Sequence, residues 1–175
     1  MALLKSFPGV TLFCLLCLSA VTADAQGTWF QQFNCAMTLP AGPLWNKPPP
    51  VGPGVRAAAQ TNDRTASIML TIVPLPNPST KIDAKFIEQF EMGYFPVGKS
   101  KKISGVQLVL QGVPAYKATG EIYINGKTIQ TAMYLWLADG RAYQIAALKL
   151  NTPPLEDAEI QTAMNSFHFL NTPKF

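Results

Sequence analysis

The single histidine of the chain, His168, is the first residue to test for catalysis, because a nucleophilic side chain needs a base beside it. It lies in the segment SFHFL and alternates with Phe167 and Phe169, so we expect it to point away from those two rings. Ser166 would share its side of the strand, but no serine of the chain has the G-x-S-x-G turn that exposes a nucleophile. We interpret His168 as a solvated side chain, and a hydrolase that uses it is the third of three functional hypotheses.

Metal and phosphate chemistry lack their usual residue sets in this sequence. A structural zinc site needs about four Cys or His ligands, and one histidine with one cysteine beyond residue 25 cannot supply them. The carboxylates have no calcium-loop spacing, and no glycine-rich segment matches a phosphate-binding loop. We therefore predict no catalytic residue, no metal site and no cofactor.

Three aromatic side chains and one lysine are the candidates for a binding site. The segment AMYLWLADGRAYQIAAL, residues 132–148, contains Tyr134, Trp136 and Tyr143, and Lys117 is expected beside them. Tyrosine and tryptophan bury a large area with few rotatable bonds and keep a polar tip, which suits protein or glycan partners. The sequence therefore predicts that these four residues form a contact surface for a protein partner.

Two alternatives stay open for the same aromatic residues. They can be one layer of a packed sheet, covered by the N-terminal strand or by a proline-rich loop with Leu44 and Trp45 as the lid. They can also line a cavity beneath residues 40–55, and the chain would then be a periplasmic carrier of a small apolar ligand or lipid.

A basic run, GKSKKIS, precedes the strand VQLVL and is predicted to form a turn. Its residues Lys99, Lys101 and Lys102 could dock an acidic partner or a phosphate-bearing lipid head, although such runs are more commonly hydrated loops. The net charge of +4 likewise points to anionic surfaces or acidic partners rather than to nucleic acid.

Two turn signals predict an antiparallel meander over residues 115–149. The pairs Asn125-Gly126 and Asp139-Gly140 favour type I′ turns, because such turns need positive φ at two successive residues. A two-residue turn determines which residues pair across it. The predicted pairs are Ile122 with Ile129, Glu121 with Gln130, Lys117 with Tyr134, Tyr134 with Ile145, Trp136 with Tyr143, and Met133 with Ala146.

This register separates the two faces of the meander. One face is almost wholly apolar and is expected to be buried under helices. It carries Ile122, Ile124, Ile129, Met133, Leu135, Leu137, Ala146 and Leu148. The other face has the aromatic candidates toward one end and a polar stripe toward the other end, composed of Thr119, Glu121, Thr128, Gln130 and Lys149.

The remaining segments predict the elements around the meander. TWFQQFNCAMTLP alternates as one first strand, and AGPLWNKPPPVGPG is a stiff loop because proline and glycine exclude a central strand or helix. VRAAAQT and ASIMLTIV form a hairpin, and a break is predicted at Gly112-Val113-Pro114, before the meander. One helix is predicted over residues 80–93 with Thr80 in its capping box, and a second over residues 153–166 with Thr152 as its cap.

Residues 1–25 have the features of a secretory signal peptide. Lys5 precedes the apolar stretch VTLFCLLCLSAV, which is too short to span a bilayer, and ADA places small residues where a signal peptidase cleaves, after Ala25. The prediction is a periplasmic or secreted protein with a single domain over residues 26–175 and no transmembrane span. Cys35, the one cysteine left after cleavage, is expected to be a buried apolar residue, with a mixed disulfide as the alternative.

The order of elements and several segments resemble the PsbP-like family, which also includes the bacterial DcrB-like exported proteins. The segments are TLPAGPLW, VPAYKATGEI, the closing helix and SFHF, and the resemblance covers most of residues 29–170. It implies an antiparallel sheet layered between helices, an α/β/α sandwich, and mostly noncatalytic roles as accessory or binding modules. It carries over no catalytic set, and the metal-linked role of the photosynthetic members has no matching ligands here. The loop NKPPPVGPG departs from the family.

The residues and the resemblance together predict an α+β fold with about six antiparallel strands, a C-terminal meander and two main helices. The predicted function is that of an exported, noncatalytic accessory or binding module that acts through protein–protein contacts in the cell envelope. The alternatives are the periplasmic carrier and the hydrolase described above.

Overall fold

The computed structural model describes residues 27–174, so the predicted signal peptide, residues 1–25, lies outside the described residues. The strands and helices follow in chain order. They are β1 (Thr28–Phe30), β2 (Cys35–Met37), β3 (Trp45–Asn46), β4 (Val55–Thr61), β5 (Ala66–Pro74), α1 (Ala84–Tyr94), β6 (Ser100–Leu110), β7 (Val113–Ile124), β8 (Lys127–Ala138), β9 (Arg141–Leu150), α2 (Ala158–Ser166) and β10 (His168–Phe169). Two short 3-10 helices, Gln31–Phe33 and Pro154–Glu156, complete the described elements.

The main sheet has seven strands in the order β3-β4-β5-β9-β8-β7-β6, and a small sheet has three in the order β1-β2-β10. Every described pair is antiparallel. Helix α1 packs on one face of the main sheet, and α2 packs with the small sheet on the other face. The predicted α+β class and layered architecture are confirmed, with a larger main sheet than the predicted one of about six strands.

The meander has the predicted register. Both two-residue turns have positive φ, 50° and 75° at Asn125-Gly126 and 50° and 68° at Asp139-Gly140, which matches type I′ geometry. All six predicted pairs are present in the ladders of β7, β8 and β9. The aromatic residues Tyr134 and Trp136 therefore share one face of β8, which we call the α2-side face, and Leu135 lies on the opposite, α1-side face.

The prediction of one continuous first strand is wrong, because the chain folds into a hairpin of two three-residue strands there. The reversal occurs at Asn34, which adopts φ 54°. Its side-chain amide donates to the Asp139 carboxylate at 3.1 Å and its side-chain oxygen accepts from the Asn171 backbone N–H at 2.9 Å. These partners are more than 100 residues away along the chain, so local alternation carries no signal for the turn.

Both helices begin later than predicted. Asp83 rather than Thr80 caps α1, and its carboxylate accepts from the Phe86 N–H at 2.8 Å. Asp157 rather than Thr152 caps α2, because it accepts from two amides of the first turn. The Thr80 hydroxyl instead donates to a carbonyl of the preceding turn, that of Asn77.

The predicted basic turn is wrong, and the break predicted at Gly112-Val113-Pro114 is confirmed only at Gly112, which with Gln111 forms the positive-φ turn between β6 and β7. Residues 100–104 of the lysine run are the first part of β6, paired with β7. Pro114 lies within β7, opposite Val109. It fits there because pairing of β7 with β8 starts only at Ala115, so the missing proline N–H removes no bond on that side.

Candidate functional site

The predicted aromatic contact surface is buried. Tyr134, Trp136 and Tyr143 have only 7%, 3% and 0% of their surface exposed. The Trp136 ring lies 4.6 Å from the ring of Phe167, and the Tyr143 ring lies 5.0 Å from that of Phe169. The prediction of an exposed surface at these residues is wrong, because their rings form the centre of a packed layer.

The layer over these rings comes from the C-terminal part of the chain and the N-terminal hairpin. Phe167 and Phe169 follow α2, and the buried residues of β2 belong to the same cluster. Of the two residues expected as a lid, Trp45 is buried and its indole N–H donates to Glu159 at 2.6 Å, whereas Leu44 is 67% exposed. Because the rings contact other side chains directly, they do not line the cavity that the carrier hypothesis requires.

The hydroxyl group of Tyr143 forms its hydrogen bond inside the protein. Tyr143 donates to the backbone carbonyl of Phe33 at 2.9 Å. Burial, with a smaller effect of the nearby Asp139 charge, raises the pKa of Tyr143 to about 12. The phenol therefore stays neutral and acts as a structural hydrogen-bond donor.

Lys117 lies at the border between the covered and the open part of the α2-side face. Its ammonium group is 5.6 Å from the centre of the Tyr134 ring, and across the ladder it pairs with Val106 of β6. Lys117 therefore contacts both the aromatic layer and the outer strand β6. It is half-buried, whereas the other three predicted site residues are buried.

His168 and Ser166 do not form a base–nucleophile pair. The imidazole of His168 is exposed, and its Nδ1 lies 2.9 Å from the backbone carbonyl oxygen of Ser166. The Ser166 hydroxyl donates to the Ala163 carbonyl at 2.7 Å and accepts from the Thr38 N–H at 2.8 Å. The serine thus joins the end of α2 to the segment after β2, and the prediction of a solvated His168 is confirmed.

Cys35 is fully buried in the same core as the aromatic layer, as predicted. Burial raises the pKa of its thiol to about 12, so the thiol is protonated at neutral pH and is a poor nucleophile. Among residues 27–174, no group of three or more His, Cys, Asp or Glu side chains is placed to hold a metal ion.

The most open part of the described sheet is its outermost strand, β6. It pairs with β7 on one side only, and all of its eleven residues are exposed or half-buried. Three apolar side chains on it face solvent: Ile103 is 57% exposed, Val106 51% and Val109 67%. The opposite edge is β3, which has only two residues. It pairs only with Gln60 and Thr61 of β4, so the rest of β4 is a second, shorter edge, and β6 is the longest edge of the described sheet without a strand partner.

The hydrogen-bonding groups on the free side of β6 follow from its ladder. The Tyr123 N–H donates to the Lys99 carbonyl at 2.8 Å, so every second residue from Lys99 onward turns its backbone groups toward β7. The bulge between Lys102 and Ser104 shifts this alternation by one residue. The residues whose N–H and C=O groups point outward in the second half of the strand are therefore Gly105, Gln107 and Val109.

One end of β6 is tied to helix α1 by a charged network. The Lys102 ammonium lies 2.6 Å from the Glu91 carboxylate, and the Tyr116 hydroxyl donates to the same carboxylate. Burial opposes ionisation of Glu91, but the hydrogen bonds from Lys102 and Tyr116 outweigh it and lower the pKa of that carboxyl. A Cβ atom at Gly105 would overlap the Tyr116 hydroxyl, so the small residue on β6 allows this network to form.

The lysine run was a signal for this edge that the sequence-based interpretation missed. Lysines are frequent on edge strands because their charge discourages pairing with other chains of the same kind. Lys101 and Lys102 lie in the ladder, opposite Glu121 and Gly120, and are not part of a loop. Their β-strand position became apparent only from the pairing with β7.

No protein-family model matches the chain, and no curated protein is significantly similar to it in sequence. Solved structures do share its fold. The solution structure of cyanobacterial PsbP (CyanoP) from Synechocystis sp. PCC 6803 matches with a TM-score of 0.61 and 14% identity, over 87% of this chain and 96% of that one. A crystal structure of a protein from Bacteroides thetaiotaomicron matches with a TM-score of 0.53 and 14% identity, over 78% of this chain and 45% of that one. Less than half of the Bacteroides protein is therefore spanned.

These matches establish a PsbP-like fold, as predicted from the order of the elements and the segments that resemble the PsbP-like family. Among the described residues, no helix has the length and apolar character needed to cross a membrane.

Proposed function

We propose that this chain, which has a PsbP-like fold, is an exported, noncatalytic accessory module that binds a protein partner through the β6 edge. The observation that carries the proposal is an eleven-residue edge strand with an unpaired side and three exposed apolar side chains. The predicted signal peptide supports an envelope or extracellular location. The closely packed aromatic layer supports a structural role for Tyr134, Trp136 and Tyr143 in place of direct contact.

The mode of binding that fits this edge is strand addition. An extended segment of a partner would pair with the outward backbone groups of Gly105, Gln107 and Val109, and main-chain hydrogen bonds would provide much of the affinity. Side chains on both faces of β6 would provide the selectivity, with apolar contacts at Val106 and Val109. The basic start of the strand favours a partner segment with acidic residues at the corresponding end.

The same features disfavour pairing between two copies of this chain through β6. In a parallel arrangement, Lys99 and Lys101 of the two copies would lie side by side and repel one another. The bulge after Lys102 also twists the strand, which reduces its match to an identical edge. A partner of opposite charge does not meet the first of these penalties.

The test uses affinity capture from the native envelope with three forms of the protein. Val109→Pro removes an outward N–H without removing a bond to β7, because Val109 faces away from the ladder. Val109→Ala removes the side chain but keeps the N–H. We expect a specific partner that wild type retains to be lost with Val109→Pro and at least partly retained with Val109→Ala.

Two controls give the result its meaning. Leu44→Ser changes an exposed apolar residue on a distant loop and should leave capture unchanged. Circular dichroism and thermal unfolding must show that Val109→Pro is folded. If the folded Val109→Pro protein captures the partner as well as wild type does, or if wild type retains no specific partner, the proposed edge docking is wrong.

A further inference from the structure

The α1-side face of the sheet continues beyond the end of helix α1. The last turn of the helix lies over the middle of the sheet: the Tyr94 hydroxyl contacts the Thr131 hydroxyl at 2.8 Å, and the ring of Phe95 lies against Gly120. Past these contacts, the face is still apolar for several residues on three adjacent strands. The apolar residues beyond the helix are Ile122, Ile124, Ile129, Leu148 and Leu150.

This part of the face is open to solvent, which corrects the prediction that the whole apolar face is buried under helices. Ile124 is 48% exposed, and the other four residues are half-buried. A shallow hollow of about 200 Å³ lies here, with Ile129, Leu148 and Leu150 among its lining residues. We call this region, the five apolar residues together with the hollow, the open end of the sheet.

The rim of the open end is cationic. Arg64, in the turn between β4 and β5, and Lys127, at the start of β8, both line the hollow. The two ion pairs described within residues 27–174 join Lys102 to Glu91 and Lys149 to Asp157, so neither rim cation takes part in them.

The acid nearest to this rim in the sequence has other partners. The Asp63 carboxylate accepts from the Thr65 N–H at 3.1 Å and from the Thr65 hydroxyl at 2.8 Å. These neutral donors leave the Asp63 carboxylate negatively charged, but Asp63 does not line the hollow and the two rim cations outnumber it, so the net charge beside the hollow is positive. The hydroxyl residues Thr65 and Ser67 line the same hollow and add polar groups beside the cations.

We propose that the open end of the sheet is a docking surface for an anionic lipid membrane. Isoleucine and leucine side chains surrounded by arginine and lysine match the membrane interface, where apolar groups enter the acyl boundary and cations remain among the headgroups. Charge complementarity selects anionic lipid over a neutral bilayer. The surface lies on the face of the sheet, so it can bind a membrane while the β6 edge holds a partner.

The expected affinity is modest. Each cation near an anionic bilayer strengthens binding about fivefold, and the contribution falls off within a Debye length. Reversing two rim charges should therefore weaken binding at least tenfold. Raising the salt concentration should weaken the binding of wild type by a similar factor.

The test measures co-sedimentation of the processed protein, purified from the envelope of cells that express the full sequence, with lipid vesicles. One set of vesicles is phosphatidylcholine alone, and the other contains phosphatidylglycerol. Wild type should sediment with the second set only. The double variant Arg64→Glu with Lys127→Glu should lose at least tenfold in affinity, and Ile124→Asp should also weaken binding.

A matched control has the same change in net charge at another place. Lys81→Glu with Lys85→Glu alters two exposed lysines near the start of α1, at the far end of the helix from the open end. It should bind like wild type. Equal losses in the two double variants would show an effect of net charge alone and overturn the proposal, as would failure of wild type to bind anionic vesicles.

A third result would also overturn it. If the open end instead captures a protein in the absence of lipid, and the rim variant loses that capture, the surface is a protein interface and not a membrane contact. None of these outcomes bears on docking at β6, which the Val109 variants test separately.

Discussion

Both faces of the main sheet carry an apolar region, but these two regions are covered to different extents. On the α2-side face, Trp136, Tyr143 and Phe167 are exposed by 3%, 0% and 1%. On the α1-side face, the covering helix contributes no fully buried residue of its own. Its rings Phe86 and Phe90 stack 6.2 Å apart and remain half-buried.

The difference follows from the amount of structure available to cover each face. The α2-side face receives α2 and the three-stranded small sheet, which are joined to the main sheet by the Lys149–Asp157 ion pair and by the Trp45–Glu159 bond. The α1-side face receives one helix of eleven residues, about 16 Å long, over strands of twelve residues that extend about 40 Å. An apolar face of a sheet is therefore buried only where another layer of the protein covers it.

The largest effect is expected for a substitution on the closely covered α2-side face, which we call the closed face. Trp136→Ala should lower the free energy of unfolding by about 3–5 kcal/mol, because it leaves a cavity against Phe167 that the rigid layer cannot fill. Urea unfolding followed by fluorescence measures the change. Trp29→Ala is the matched control, since Trp29 is 64% exposed and its loss should cost much less. Similar losses in the two variants would contradict the assignment of Trp136 to the core.

The corresponding change on the other face should have a smaller effect. Phe90→Ala removes a half-buried ring of α1 and should lower the free energy of unfolding by about 1–2 kcal/mol. Met92→Ala, at a 63% exposed position of the same helix, controls for helix propensity. A loss as large as that of Trp136→Ala would show that α1 is packed as tightly as α2, and the contrast between the faces would disappear.

The charged attachment of α1 should make its packing sensitive to pH. The pKa of Glu91 is lowered in the folded protein relative to its ordinary value of 4.5, so its contribution to stability is present above that value and is lost as the pH falls through the folded pKa. Exposed ion pairs contribute up to about 1 kcal/mol, so the effect is small.

Hydrogen exchange of the α1 amides between neutral and acidic pH measures it. In Glu91→Gln the protection of α1 should be lower at neutral pH and should change less on acidification than in wild type. Glu88→Gln, on the exposed side of the same helix, should behave like wild type. An unchanged pH dependence in Glu91→Gln would remove Glu91 as the attachment point.

The smallest expected effect lies at the open end of the sheet. Ile124→Ser should change the free energy of unfolding by no more than about 0.5 kcal/mol, because the side chain is 48% exposed. Ile145→Ala, on the closed face with 0% exposed, should cost about 2–5 kcal/mol in the same denaturant assay. A large loss in Ile124→Ser would mean that this isoleucine is part of the core.

The parts of the fold that were predicted correctly are those governed by near neighbours. The pairs Asn125-Gly126 and Asp139-Gly140 accept positive φ at little cost, and a two-residue turn leaves one register for the strands beside it. The presence of a helix near the C-terminus, α2, was likewise predicted from the sequence. Helix starts were missed by three to five residues, since Thr80 and Asp83 compete locally and only the bonded geometry shows which one caps.

The candidate site could not be predicted in the same way. The pattern of Tyr134, Trp136 and Tyr143 is equally suited to a covered and an exposed face, and Phe167, which covers them, comes more than 20 residues later in the sequence. The edge position of β6 depends on the order of strands in the whole sheet, in which β5 lies beside β9 and leaves β6 at the end. The cover by Phe167 has no local signal, and the lysine run of β6 is compatible with both an edge strand and a hydrated loop.

The amino-acid sequence by itself determined the turns, the meander register and the separation of apolar from polar positions, because each of these depends on residues only a few positions apart. The tertiary structure alone decided which apolar face is closed, where the sheet ends and that Asn34 reverses the chain. These outcomes depend on the finite size of the covering layers and on contacts between residues far apart in the chain, such as Asn34 with Asp139. A periodic pattern shows which side of a strand is apolar, but only packing determines whether that side is covered.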